Sequence, residues 1–129
     1  MDAGHRVIVT PVIVDEHGDV SFFESVEHAE GKLEAIEVRN EEFVAYDSEG
    51  RLLKLDIERA ETSTFFGLGE TMLEYVVIES ARDRPNHAPQ LRAALVRFFE
   101  RVGVPPDDSD HVTLRELVRG GVERSGFTV

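Results

Sequence analysis

Cysteine is missing from this chain altogether, which excludes disulfides, thiolate zinc sites and a cysteine nucleophile, and favours a reducing compartment. Tryptophan is also absent and aromatics make up only 8% of the residues. Single-stranded nucleic acid is bound by aromatic platforms beside basic grooves, and this composition offers neither in quantity. No apolar run approaches the roughly 20 residues of a membrane-spanning helix. The opening Met-Asp-Ala-Gly-His-Arg lacks the form of a secretory signal. These absences lead us to expect a soluble, cytoplasmic protein that engages neither nucleic acid nor membrane.

Motifs of known chemistry are missing too. Histidines 5, 17, 28, 87 and 111 are dispersed, with no metal-binding His-x-x-x-His or His-Glu-x-x-His spacing. Ser63 and Ser80 lack a Gly-x-Ser-x-Gly elbow. Gly67-x-Gly69 has neither the third glycine nor the Lys-Ser/Thr pair of a phosphate loop. Asp107-Asp-Ser-Asp-His111 is dense in potential ligands but lacks the alternation and central glycine of a calcium loop; acidic residues ahead of a helix are favoured by its dipole. No catalytic residue, metal site or cofactor is assigned from sequence, and enzymatic activity is not indicated.

What the chain has is negative charge, unevenly distributed. The net charge is −12. Residues 1–80 hold 19 Asp and Glu against 6 Lys and Arg, a balance of −13, whereas residues 81–129 hold 7 against 8, a balance of +1. Such a surface repels phosphate-rich polymers and anionic membranes and speeds encounter with cationic proteins; it also serves plain solubility.

With 129 residues the chain is long enough for one domain, 1–129, burying roughly two-thirds of the surface its unfolded form exposes. The segment from Glu41 to Glu58 reads as a hairpin around Asp47-Ser-Glu-Gly50, with aspartate and glycine where a type I turn closed by a G1 bulge needs them. That register sets Asp47 against Arg51, Ala45 against Leu53 and Phe43 against Leu55, gathering Phe43, Ala45, Leu53, Leu55 and Ile57 on one face. A slip of one residue would invert every side chain. The same spacing in Asp15-Glu-His-Gly18 predicts an earlier hairpin with Val14 opposite Val20, Val12 opposite Phe22 and Asp15 opposite Asp19, and Pro11 suggests an edge strand or bulge.

Between the hairpins, Ser25 caps an expected helix to about Ile36, with Val26, Ala29, Leu33 and Ile36 inward and Glu27, Glu30 and Glu34 outward. Further on, Glu61–Phe66 reads as a short strand, Gly67–Glu70 as a turn, and Met72–Glu79 as a strand covered on both faces or central in the sheet. Ser80–Pro89 is an expected loop. Leu91, Ala94, Leu95, Phe98 and Val102 then define one amphipathic helix, and the capping box Thr113-Leu-Arg-Glu116 opens another with Leu114, Leu117, Val118 and Val122 inward, shortened or frayed by Gly120-Gly121. The expected class is α+β: an antiparallel sheet of two hairpins plus a later strand, with one short helix and two C-terminal helices packed on one face.

Ser25-Val-Glu-His-Ala-Glu, Leu33-Glu-Ala-Ile-Glu-Val and the segment from Phe43 to Leu55 are similar to small acidic bacterial proteins that resemble immunity proteins of polymorphic toxin systems. The resemblance implies a cytoplasmic inhibitor that binds a cognate toxin, blocks its active site and has no catalysis of its own; it fixes no individual residue. On charge and exposure, the expected contacts with a basic partner such as a nuclease are Glu27, Glu30, Glu34, Glu41, Glu42, Asp47 and Glu49, with Tyr46 as the anchoring aromatic. Two other readings are open. One is a small enzyme or ligand-binding domain with a pocket near Glu70, Glu74 and His87. The other is a subunit of a larger assembly, or a homodimer, joined through Val44, Tyr46 and Leu52 on the outer hairpin face.

Overall fold

In a computed structural model, which describes residues 8–63, 70–80 and 87–126, the chain forms one five-stranded antiparallel sheet in the order β2-β1-β3-β4-β5. The strands are β1 (Val12–Glu16), β2 (Asp19–Phe23), β3 (Val44–Tyr46), β4 (Leu52–Ser63) and β5 (Glu70–Ser80). Among the described residues four helices accompany them: α1 (Val26–Lys32), α2 (Ala35–Arg39), α3 (Ala88–Arg101) and α4 (Leu114–Ser125). The α+β class and the antiparallel sheet agree with the sequence reading.

The sheet separates two buried clusters. On one side Ile13, Val20, Phe22 and Tyr46 meet Leu91, Leu95, Phe98 and Phe99 of α3 and Leu117 and Val118 of α4. On the other, Val12, Val14, Ala45, Leu53, Val76 and Ile78 surround Ala29 of α1, with Leu33, Ala35 and Val38 packed at the margin. The C-terminal helices share one face, as expected, and the short helices cover part of the other. A fully buried Val, Leu, Ile or Phe contributes roughly 1.5–3 kcal/mol relative to exposure, so both clusters matter to stability.

The central hairpin has the expected register. Ala45 pairs with Leu53 and Tyr46 with Leu52, the Asp47 amide donates to the Arg51 carbonyl at 2.9 Å, and Gly50 has φ +90°. Glycine is needed at that position twice over, because a Cβ there would also strike the backbone of Ala88. The turn therefore seats directly against the start of α3, where the His87 amide donates to the Gly50 carbonyl at 3.1 Å.

The first hairpin departs from expectation by one residue. Glu16 pairs with Asp19, Asp15 with Val20 and Ile13 with Phe22. The loop is only His17 and Gly18, with φ of 53° and 96°, a mirror-image two-residue turn whose twist suits the flanking strands. Histidine enters the left-handed region more readily than most residues, and the Asp15 side chain accepts the Gly18 amide at 2.7 Å. The slip turns Phe22 and Val20 toward α3 and α4, while Val12 and Val14 face α1. Pro11 is buried just ahead of β1, a strand paired on both sides, so it marks the beginning of a strand instead of an edge.

Four further features differ. The helix expected to Ile36 ends at Leu33, whose extended backbone (ψ 138°) separates α1 from α2; Ser25 caps α1 as expected, accepting the His28 amide at 3.0 Å. The strand after the central hairpin is continuous from Leu52 to Ser63 and pairs with β5 from Leu53 onward; the expected strand to Phe66 and the turn from Gly67 run into residues outside those described. β5 is an edge strand, neither central in the sheet nor covered on both faces: Val76 and Ile78 are buried while Tyr75 is 44% exposed. Finally, Gly120 and Gly121 do not interrupt α4, which continues to a left-handed cap at Gly126.

Candidate functional site

The expected partner contacts fall into three groups. Glu27, Glu30, Glu34, Glu41 and Glu42 belong to the α1–α2 layer. Glu27, Glu34 and Glu41 are exposed, and Glu30 and Glu42 half-buried. Glu49 is exposed at the central turn, bound to Arg51 at 2.5 Å. Tyr46 and Asp47 are not at the surface. Tyr46 is 7% exposed because its strand position faces α3 and α4, and burial raises its phenol pKa, with Asp15 adding to the rise.

Asp47 is fully buried and has a structural task. Its Oδ1 accepts the amides of Glu49 at 3.0 Å and Arg51 at 2.9 Å, and its Oδ2 takes the Arg51 guanidinium at 3.1 Å. The carboxylate supplies the acceptors a tight turn requires and is unavailable to a partner. Hydrogen bonds from Arg51 to Glu49 and then Asp47 raise the arginine pKa.

Glu30 is likewise engaged. Its Oε2 accepts the Ile78 amide at 2.7 Å, covering a backbone donor on the edge strand β5. Exposed strand edges invite pairing with other chains, and a carboxylate laid along one blocks that.

The strongest concentration of charge combines residues far apart in sequence. Carboxylate oxygens of Glu16, Glu37 and Glu42 all lie within 4.8 Å of one another, each residue half-buried. Glu16 comes from the end of β1 and Glu37 from α2. Glu42 is drawn back by the way α2 ends: Glu41 takes the left-handed conformation (φ 58°) and the Glu42 amide donates to the Glu37 carbonyl at 3.0 Å. That bond closes a helix in the manner usually served by glycine, and a glutamate in this conformation is uncommon. The hydrogen bond to Glu16, then burial, then repulsion from Glu16, Glu34 and Glu42 push the Glu37 carboxyl up to about 6. Among the described residues, no ion pair joins these three carboxylates to an arginine or lysine, and none joins an arginine of α3 or α4 to a carboxylate of residues 8–80. Acidic side chains commonly cluster without an ion, and no further ligand group joins these three among the described residues, so no metal site is assigned.

Sequence reasoning missed this cluster because the one-residue slip in the first hairpin is what places Glu16 opposite Asp19 on the α2 side. It also missed Tyr75, which stands opposite Glu58 on β4 and donates its hydroxyl to Glu58 Oε2 at 3.0 Å. That bond, and the Glu58 charge, raise the Tyr75 pKa. Asp56, Glu58 and Glu79 are exposed around it.

The pocket expected near Glu74 and His87 is not assembled. Glu74 is bound by Arg39 and by Arg59, the latter at 3.1 Å; the Arg39 hydrogen bond is the main cause of its lowered pKa. The strand from Leu52 to Arg59 spans about 23 Å, and His87 lies at the Leu52 end, beside Gly50. The outer hairpin face proposed for self-association is largely closed: Tyr46 is core and Leu52 packs against it, leaving Val44, 43% exposed. No helix among the described residues is long and apolar enough to cross a membrane.

The fold and surface define an α+β protein with an acidic layer over one face of an antiparallel sheet. Comparison with protein-family models, with curated proteins and with solved structures finds no match to this chain.

Proposed function

We propose that this chain is a non-catalytic binding domain that docks a cationic protein on its α1–α2 layer, and that it serves as an immunity-type inhibitor neutralising a basic bacterial toxin such as a nuclease. The observation that carries the reading is the gathering of Glu16, Glu37 and Glu42, none of which forms an ion pair with an arginine or lysine among the described residues, although Lys32 lines the same hollow as Glu16 and Glu37. Repulsion within the trio is a standing cost that a partner's lysine or arginine would relieve, so the charge favours the complex over the free protein. Glu27, Glu34 and Glu41 extend the same negative surface and raise the rate of encounter. Asp47 and Tyr46 take no part in contact; their role is to hold the turn and the core.

The test is co-expression with the product of the neighbouring reading frame. A toxic product whose growth defect this chain relieves supports the proposal, and failure to relieve it sinks the immunity reading. With the complex in hand, Glu34→Lys and Glu42→Lys together should slow association at least tenfold at low salt and much less at high salt. Unchanged association rates would remove the α1–α2 layer as the docking surface.

A further inference from the structure

On the opposite side of the sheet, α3, α4 and the segment joining them enclose an open groove of about 810 Å³. Its floor is apolar: Phe99 and Leu117 from the core, Val112 half-buried, and Val104 48% exposed. Asp107, Asp108, Glu116 and Glu123 stand around it, with Arg124 and His111 as the cationic or potentially cationic groups; His111 Nδ1 already binds Asp108 at 2.9 Å. The rim is thus negative although the last third of the chain is close to neutral.

Gly120 lines the groove without a side chain to narrow it. It lies in the interior of α4, where glycine costs about 1 kcal/mol relative to alanine. Its neighbour Gly121 is required, because a Cβ there would collide with the Phe22 ring, but a Cβ on Gly120 would meet only Phe99 Cζ, at an ordinary 3.8 Å. No steric demand of the fold calls for glycine at 120. What its missing side chain does is keep the groove wall low.

From the apolar floor, the acidic rim and the unforced glycine, we infer that the α3–α4 groove seats a cationic amphipathic segment of another protein, apolar side chains inward over Phe99 and Leu117 and lysines or arginines outward to the rim. This is the helix-in-groove mode of recognition, with specificity against acidic segments set by charge. The site is separate from the α1–α2 layer and stands whether or not that layer docks a toxin.

The probe is a synthetic helical peptide with leucines at i, i+3, i+4 and i+7 and lysines elsewhere, titrated into the isotopically labelled full chain. Its glutamate-for-lysine counterpart and a scrambled leucine–lysine peptide serve as controls. The expected result is perturbation centred on the amides of Val104, Val112, Leu117 and Gly120, at least tenfold weaker binding to Gly120→Leu, which fills the groove, and little binding by either control. Val104→Lys, a change at an exposed position, should weaken binding similarly and keeps the test decisive if Gly120→Leu does not fold. Absence of binding at millimolar peptide, equal binding by the glutamate peptide, unchanged affinity in the folded variants, or perturbations confined to Glu16, Glu37 and Glu42 would each overturn the inference.

Discussion

The ring of Phe22 occupies the space that a side chain on Gly121 would need, so β2 and α4 meet at the bare backbone of a helix. Gly121→Ala should therefore destabilise the protein by about 1–3 kcal/mol, the usual cost of overpacking, despite a helix-propensity gain of about 1 kcal/mol. Gly120→Ala gains the propensity without the collision and should stabilise by up to about 1 kcal/mol. Denaturant unfolding of the two variants gives the opposite signs directly.

Asp47 is a second point of sensitivity. Asp47→Ala leaves the amides of Glu49 and Arg51 without their acceptor in a buried turn, and should cost about 1–3 kcal/mol by equilibrium unfolding. Asp47→Asn retains a side-chain oxygen and should cost less.

Glu37 makes stability depend on pH in a defined direction. Its folded pKa, about 6, lies above the ordinary 4.5, so the folded state holds this proton more tightly than the unfolded state does. The resulting contribution is fully present below about pH 4.5 and is lost as the pH rises through about 6. Glu37→Gln should flatten the stability profile in that window and raise stability at neutral pH. Glu16→Gln should lower the Glu37 midpoint seen by carboxyl-carbon NMR titration.

The two tyrosines should behave oppositely. Truncating Tyr46 to alanine opens the cluster it shares with Leu91 and Phe98 and should cost about 3–5 kcal/mol. Tyr75→Ala, on an exposed face, should change stability by less than about 1 kcal/mol. Comparing their melting temperatures checks the assignment of core and surface.

Glu30 should protect a single backbone group. In Glu30→Ala the Ile78 amide loses its side-chain acceptor, and its hydrogen exchange should accelerate at least tenfold while Ile13, deep in the sheet, is unaffected.

Local chemistry made parts of this fold legible and left others hidden. The central hairpin could be registered because Asp47 and Gly50 meet specific turn requirements and a slip of one residue would have turned its apolar face outward. The inward faces of α3 and α4 followed from helical periodicity. The first hairpin looked alike at Asp15 and Gly18, yet His17 accepted a left-handed conformation and shortened the loop, a choice that spacing does not reveal. Tyr46 and Asp47 were misread as surface because burial on the second face of β3 depends on helices that begin forty residues later. The Glu16–Glu37–Glu42 cluster depends on tertiary contact and on a helix end that Glu41 closes in place of glycine.

The sheet's asymmetry has one more implication. β3 grips β4 only at Leu52 and Leu53, whereas β4 and β5 stay paired along their length. Val76 and Ile78 still pack in the cluster around Ala29, but beyond Val76 the far end of the ribbon can open without disturbing that cluster, so amides near Arg59 and Glu74 should exchange through a partial melting whose free energy lies below that of global unfolding.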